Sequence, residues 1–175
     1  MVLKILIGIV IVIVLLVIIV ASRPSTFRVQ RSITIAASPE NVFARINDFR
    51  DWGAWSPWEK KDPNMKRTFG DKTAGVGGTY AWAGDKNVGE GRMTIERSER
   101  PSLIQIKLEF FKPFAGTNTA TFAFTPAPSG TTVTWSMDGR YNFITKGVSM
   151  VMNMDKMIGT DFADGLSNLK AVAEK

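Results

Sequence analysis

The chain has no cysteine and no histidine among its 175 residues. The first absence removes disulfide frameworks, thiolate nucleophiles and cysteine-based metal sites, and it leaves the redox compartment open. The second removes the commonest general base, the commonest metal ligand and every Ser-His or Cys-His arrangement. No metal, cofactor or catalytic motif is expected, and the residue types lean away from an enzyme. Acid is also short: 16 Asp and Glu face 22 Lys and Arg, a formal charge of +6. The basic excess is scattered, and its densest cluster, Glu59-Lys60-Lys61-Asp62 with Lys66 and Arg67, is diluted by acids. Without a basic stripe interleaved with aromatics, nucleic acid is not an expected partner. Next to a bilayer, the same excess adds weak attraction to anionic lipid.

Apolar residues are abundant at the start. Ile5–Ala21 carries no charge, and a helix from Met1 to Ala21 is about 30 Å long, close to the hydrocarbon thickness of a bilayer. The run is longer than the apolar stretch of a secretory signal, and Val20-Ala21-Ser22-Arg23-Pro24 is a poor cleavage site. It also lacks the polar face of a soluble helix. Residues 1–23 therefore read as a retained single-pass anchor rather than a cleaved signal, and residues 24–175 as one domain at the membrane. Lys4 precedes the span while Arg23, Arg28 and Arg31 come after it, so the positive-inside rule gives opposed hints. The short basic tail fits an anchor that exports the domain behind it, and the balance is read as export.

Beyond the linker Arg23-Pro24-Ser25-Thr26, Phe27–Ala36 alternates as a half-buried strand, with Val29, Arg31, Ile33 and Ile35 on one face. Ser38-Pro39-Glu40-Asn41 predicts a helix start, and Val42, Phe43, Ile46 and Phe49 recur at helical spacing. An aromatic loop, Trp52 to Trp58, comes next. Strands are then predicted over Thr79–Ala83, Val88–Arg97, Leu103–Phe111, Asn118–Thr125 and Thr131–Gly139, joined by Gly- and Pro-rich turns. A helical pattern from Thr145 to Ala173 closes the chain, with Val148, Val151, Met152, Ile158, Phe162, Leu166 and Leu169 on its apolar stripe. The class is α+β: an antiparallel sheet whose one apolar face must be covered by the long helix.

This order resembles the helix-grip superfamily of START, Bet v 1-like and polyketide cyclase-like proteins. The likeness is carried by Arg31-Ser32-Ile33-Thr34-Ile35 running into Ala37-Ser38-Pro39-Glu40-Asn41-Val42-Phe43. It continues through Asn47-Asp48-Phe49, Trp52 and Trp55-Ser56-Pro57-Trp58 to Asp161-Phe162, Gly165-Leu166 and Leu169-Lys170. The resemblance spans roughly residues 27–173 and implies a curved sheet wrapped around the C-terminal helix, with a hydrophobic cavity between them. It implies no defined reaction.

Several residues are candidates for the wall of that cavity. Trp55, Trp82 and Trp135 are indoles suited to a lip or wall, although Trp52, Trp55 and Trp58 read equally as a cap on the core beneath the first helix. Phe110 and Phe122 lie on the apolar faces of their strands. Met93, Met137 and Met152 offer adaptable thioethers, as do Met150, Met154 and Met157, and the same stripe also suits plain core. Asp155 falls on the apolar stripe of the last helix, where a carboxylate needs a partner, Arg31 or Arg92. In Gly89-Glu90-Gly91-Arg92 the glycines leave room for a close approach or a bulge.

The expected function is binding of a lipid or isoprenoid-like molecule at the membrane. An alternative is a cyclase or hydrolase working with Asp155, Glu90, Arg92 or Tyr80. A third is a protein-interaction domain of a membrane complex using the tryptophan loop.

Overall fold

Helix α1 spans Val2–Ser22 and has a mean hydropathy of 3.6, with none of its residues buried against the domain. The computed structural model describes residues 1–150 and 154–175. An apolar helix of 21 residues near the N-terminus is long enough to cross a bilayer, and it fits an anchor or a signal sequence alike.

Strand β1 (Thr26–Ile35) begins three residues after α1 ends. Helix α2 (Pro39–Asn47) starts where its signals place it: the Ser38 hydroxyl accepts from the Asn41 amide at 3.3 Å and Pro39 takes the first helical position. Val42, Phe43 and Ile46 are buried beneath it. The chain then turns through a 3-10 segment, Phe49–Ala54, into a one-turn helix α3 (Trp58–Lys61).

Seven strands form one sheet, antiparallel throughout, in the order β1-β7-β6-β5-β4-β3-β2. They are β2 (Lys66–Phe69), β3 (Thr79–Ala83), β4 (Glu90–Glu99), β5 (Leu103–Lys112), β6 (Gly116–Ala127) and β7 (Gly130–Arg140). Six of the seven, β1 included, agree with expectation within two residues at each end. Strand β2 does not appear in the sequence reading, because this edge strand is exposed at all four positions and shows no alternation to read.

The closing pattern is realised as two helices, α4 (Phe143–Ser149) and α5 (Met154–Ala173). Val151 and Met152 lie outside the described residues. Asn142 caps α4 by accepting from the Thr145 amide at 2.8 Å. Helix α5 buries Phe162, Leu166 and Leu169 against the inner face of the sheet. Polar ties hold its C-terminal half. Lys170 donates to the Thr34 carbonyl at 2.9 Å, Asn168 to the Trp55 carbonyl at 3.2 Å, and the Ala36 amide to Glu174 at 2.7 Å. Val148 departs from its expected buried position: α4 leaves the sheet and lies beside the last turn of α1, where Lys146 donates to the Ala21 carbonyl at 3.3 Å.

Candidate functional site

The inner face of the sheet is built by alternation, and its burial changes along the strands. On β5, Ile104 and Ile106 are buried while Leu108 and Phe110 are half-buried. On β6, Phe124, Phe122 and Ala120 are buried and Asn118 is not; on β7, Val133, Trp135 and Met137 give way to half-buried Gly139. Phe27 on β1 and Trp82 on β3 are likewise half-buried. The cross-strand register puts Phe27, Gly139, Asn118 and Leu108 in one row. The interior is thus closed at the end beneath α2 and open at the end where α1 enters.

Aromatic rings line the closed end. Phe162 of α5 stacks on Trp135 with centroids 4.1 Å apart and planes 8° from parallel, and Phe122 stacks beside Trp135 at 4.8 Å. Trp55 meets Trp135 edge-on at 5.7 Å. Candidates Trp55, Phe122, Trp135, Met93 and Met137 are all buried in this core. Trp82 and Phe110 are the two aromatic candidates near the open end, packed edge to face at 5.8 Å. Met152 lies outside the described residues.

The tryptophan loop is a cap, not a lip. Trp52 and Trp55 turn inward, and their indole N–H groups donate to the Ile46 and Arg45 carbonyls at 2.9 and 3.1 Å. Those are last-turn carbonyls of α2, which otherwise lack partners. Trp135 differs from both: it is 2% exposed and its Nε1 has no hydrogen-bond partner among the described residues. Buried donors are almost always satisfied, so an orphaned one inside an apolar wall calls for an explanation.

Two polar candidates are placed otherwise than expected. Arg92 is exposed on the outer face of β4, where it bonds Glu109 at 2.8 Å; strand alternation puts Gly91 and Met93 inward instead. Asp155 is exposed rather than buried, because α5 begins there at the rim of the sheet. It does have one of its two expected partners, since Arg31 donates to both carboxylate oxygens at 2.9 and 3.1 Å. Those hydrogen bonds hold the Asp155 carboxyl below its ordinary range. Glu90 pairs with Lys112 at 2.8 Å at the margin of the sheet. In Gly89-Glu90-Gly91-Arg92 the glycines serve geometry: Gly89 has φ +65° and the register shifts at Glu90/Gly91.

One buried polar group escapes the sequence reading. Tyr80 donates to Glu59 at 2.7 Å, and Glu59 also pairs with Arg67. The pattern gives Tyr80 an inward position, but nothing in it pairs residues 21 apart. Burial, reinforced by the bond to Glu59, pushes the Tyr80 hydroxyl well above its usual range, and burial also raises Tyr141. These are the two tyrosines of the chain. The folded protein is expected to show little tyrosinate absorbance at about pH 10, where half of free tyrosine ionises. Denaturation at that pH should restore it. The raised values mean that this contribution to stability is complete below about pH 10 and is lost as pH climbs through the folded-state values. Normal titration in the folded state would refute the burial of both hydroxyls.

A recess of about 430 Å³ lies at the α1 end, lined by Thr26, Arg28, Thr117, Thr119, Asp138 and Arg140 together with Phe27, Asn118 and Gly139 of the row that marks the open end. Among the described residues no cluster of acids could hold a metal ion.

Residues 26–174 match the family model described as polyketide cyclase / dehydrase and lipid transport. The chain belongs to this family. No curated protein matches it. A Chromobacterium violaceum protein superposes with TM-score 0.60 at 17% identity, covering 87% of this chain and 99% of its own. A Staphylococcus aureus protein of unknown function gives 0.61 at 12%, covering 85% and 94%. The di-domain ARO/CYC protein StfQ of the steffimycin biosynthetic pathway gives 0.62 at 11%, covering 86% of this chain and 51% of StfQ. At these identities the likeness is one of fold: members of the polyketide cyclase / dehydrase and lipid transport family share the helix-grip architecture described above.

Proposed function

We propose that the protein is a membrane-tethered binding module that takes a hydrophobic small molecule, lipid or isoprenoid-like, between the sheet and α5. The indole N–H of Trp135, without a partner among the described residues and set in an otherwise apolar wall, carries this reading. Such a donor suits a ligand with a long apolar body and one acceptor: a carbonyl, ester or hydroxyl. The half-buried side chains Phe27, Trp82, Leu108 and Phe110 suit the path by which it enters. The lipid transport named in the family description agrees with this chemistry.

An acid–base enzyme would draw on Asp155, Glu90, Arg92 or Tyr80. Asp155 and Arg92 are exposed and Glu90 lies at the sheet margin, which leaves Tyr80 alone inward with its proton held by Glu59. A partner protein docking on the tryptophan loop would meet a surface from which Trp52 and Trp55 are withdrawn.

Native mass spectrometry of the detergent-extracted full-length chain is expected to show a bound apolar adduct. Trp135→Phe should stay folded and weaken that complex about tenfold, the worth of one lost neutral hydrogen bond. A wild-type chain that carries and accepts no lipid or polyprenol would sink the reading. Unchanged affinity in Trp135→Phe would remove the indole from the site.

A further inference from the structure

Among the described residues beyond α1, seven large apolar side chains are exposed, and five of them gather at one end of the domain. They are Phe111 and Phe114 around the β5–β6 turn, Phe143 and Val148 on α4, and Met150 just after it. Phe114 is 65% exposed and Phe143 54%. The register fixes this as the end where α1 enters: Phe110 faces Gly116, Asn118 faces Gly139, and Thr26 faces Arg140. A contiguous apolar rim on a small domain is uncommon unless something covers it.

The pose of that rim relative to α1 is fixed. The Tyr141 amide donates to the Ser25 carbonyl at 2.8 Å, and the rings of Phe27 and Tyr141 lie 4.8 Å apart. Lys146 reaches the Ala21 carbonyl, and Gly147 approaches the Val20 side chain. The last turn of α1 is where a spanning helix leaves the hydrocarbon, so α4 is held at headgroup depth. Arg23 and Arg140 are exposed nearby, while Asp138, Glu90 and Glu109 at this end are already paired, with Arg28, with Lys112, and with Arg92 and Lys107. The local balance is cationic, which suits an anionic lipid surface.

We propose that this rim, the β5–β6 turn together with α4, is seated in the headgroup layer of the bilayer that α1 crosses, with Phe111, Phe114 and Phe143 as interfacial anchors. The open end of the interior then faces lipid directly. The inference rests on α1 being a retained anchor, and the test separates the two. The chain has no cysteine, so one introduced thiol takes one nitroxide without further changes. Labels go on Phe114→Cys, Phe143→Cys, Ser129→Cys at the opposite pole and Ile11→Cys in the middle of α1. The full-length chain is reconstituted in vesicles of phosphatidylcholine and phosphatidylglycerol, and collision with oxygen is compared with collision with a water-soluble nickel chelate.

The oxygen-to-nickel ratio is expected to be highest at Ile11, several-fold higher at Phe114 and Phe143 than at Ser129, and lowest at Ser129. Phe114 and Phe143 as wet as Ser129, with Ile11 still in hydrocarbon, would overturn the seated rim and leave the anchor standing. A water-exposed Ile11 overturns both. Dipolar broadening between Phe114 labels that stay wet would identify a second copy as the cover and likewise overturn the lipid assignment.

Discussion

Phe162→Ala is expected to destabilise the domain by about 4 kcal/mol, a large share of what a domain of this size has to lose. Phe162 is 1% exposed and lies flat on Trp135, with Trp58 edge-on to it and their ring centroids 6.2 Å apart. Truncation removes the α5 ring that stacks on Trp135, and rings held on both sides cannot collapse into the gap. Denaturant unfolding followed by tryptophan fluorescence measures the loss. Phe114→Ala is the matched control, since that ring is 65% exposed and packs on no core, so its midpoint should stay near wild type. A Phe162→Ala loss below about 1 kcal/mol would mean that the wall yields easily there, against the rigid packing described.

Gly91→Ala should come next, at about 3 kcal/mol, the upper range for overpacking a filled site. A methyl at this position would lie 2.4 Å from the Trp82 ring and 2.5 Å from the Glu109 carbonyl. The ring can swing aside; the carbonyl belongs to the β4–β5 ladder and cannot. The displaced Trp82 would break the bond from its indole N–H to the Val88 carbonyl, now 3.0 Å long. Near-ultraviolet circular dichroism should therefore change together with stability. A stable variant with an unaltered tryptophan signature would show that Gly91 is not held by these contacts. The geometry uses both roles open to this glycine: the register shifts at Glu90/Gly91, and the backbone there lies in close approach to Trp82 and the Glu109 carbonyl.

The parts of the fold that the sequence discloses are those where one residue type answers to one local cause. Ser38-Pro39 writes the start of α2, and alternation writes β5 and β7. Strand β2 was illegible because an exposed edge has no inner face to pattern. The same logic explains the site. Trp82, Phe110, Phe122 and Trp135 could be placed on the inner face by period two, but the period does not say which end of that face is open. That depends on how α4 and α5 divide, which a continuous apolar stripe conceals. Asp155 was placed by its helical spacing and exposed by its position at the first turn of α5, a boundary the stripe does not mark. Arg92, expected as an inward partner for Asp155, is outward because strand alternation gives the inner face to Gly91 and Met93.

The bond between Tyr141 and Ser25 bears on reach. Three residues, Arg23 to Ser25, join α1 to β1, a span of about 10 Å at full extension, and the last of them is pinned to the domain. A long, loose tether would let the domain sweep a wide volume and meet other membranes. This one has almost no slack. On the proposed membrane-tethered reading, a domain held so closely would exchange cargo with the leaflet beneath it and with whatever diffuses laterally to its foot, and its search for a ligand would be two-dimensional.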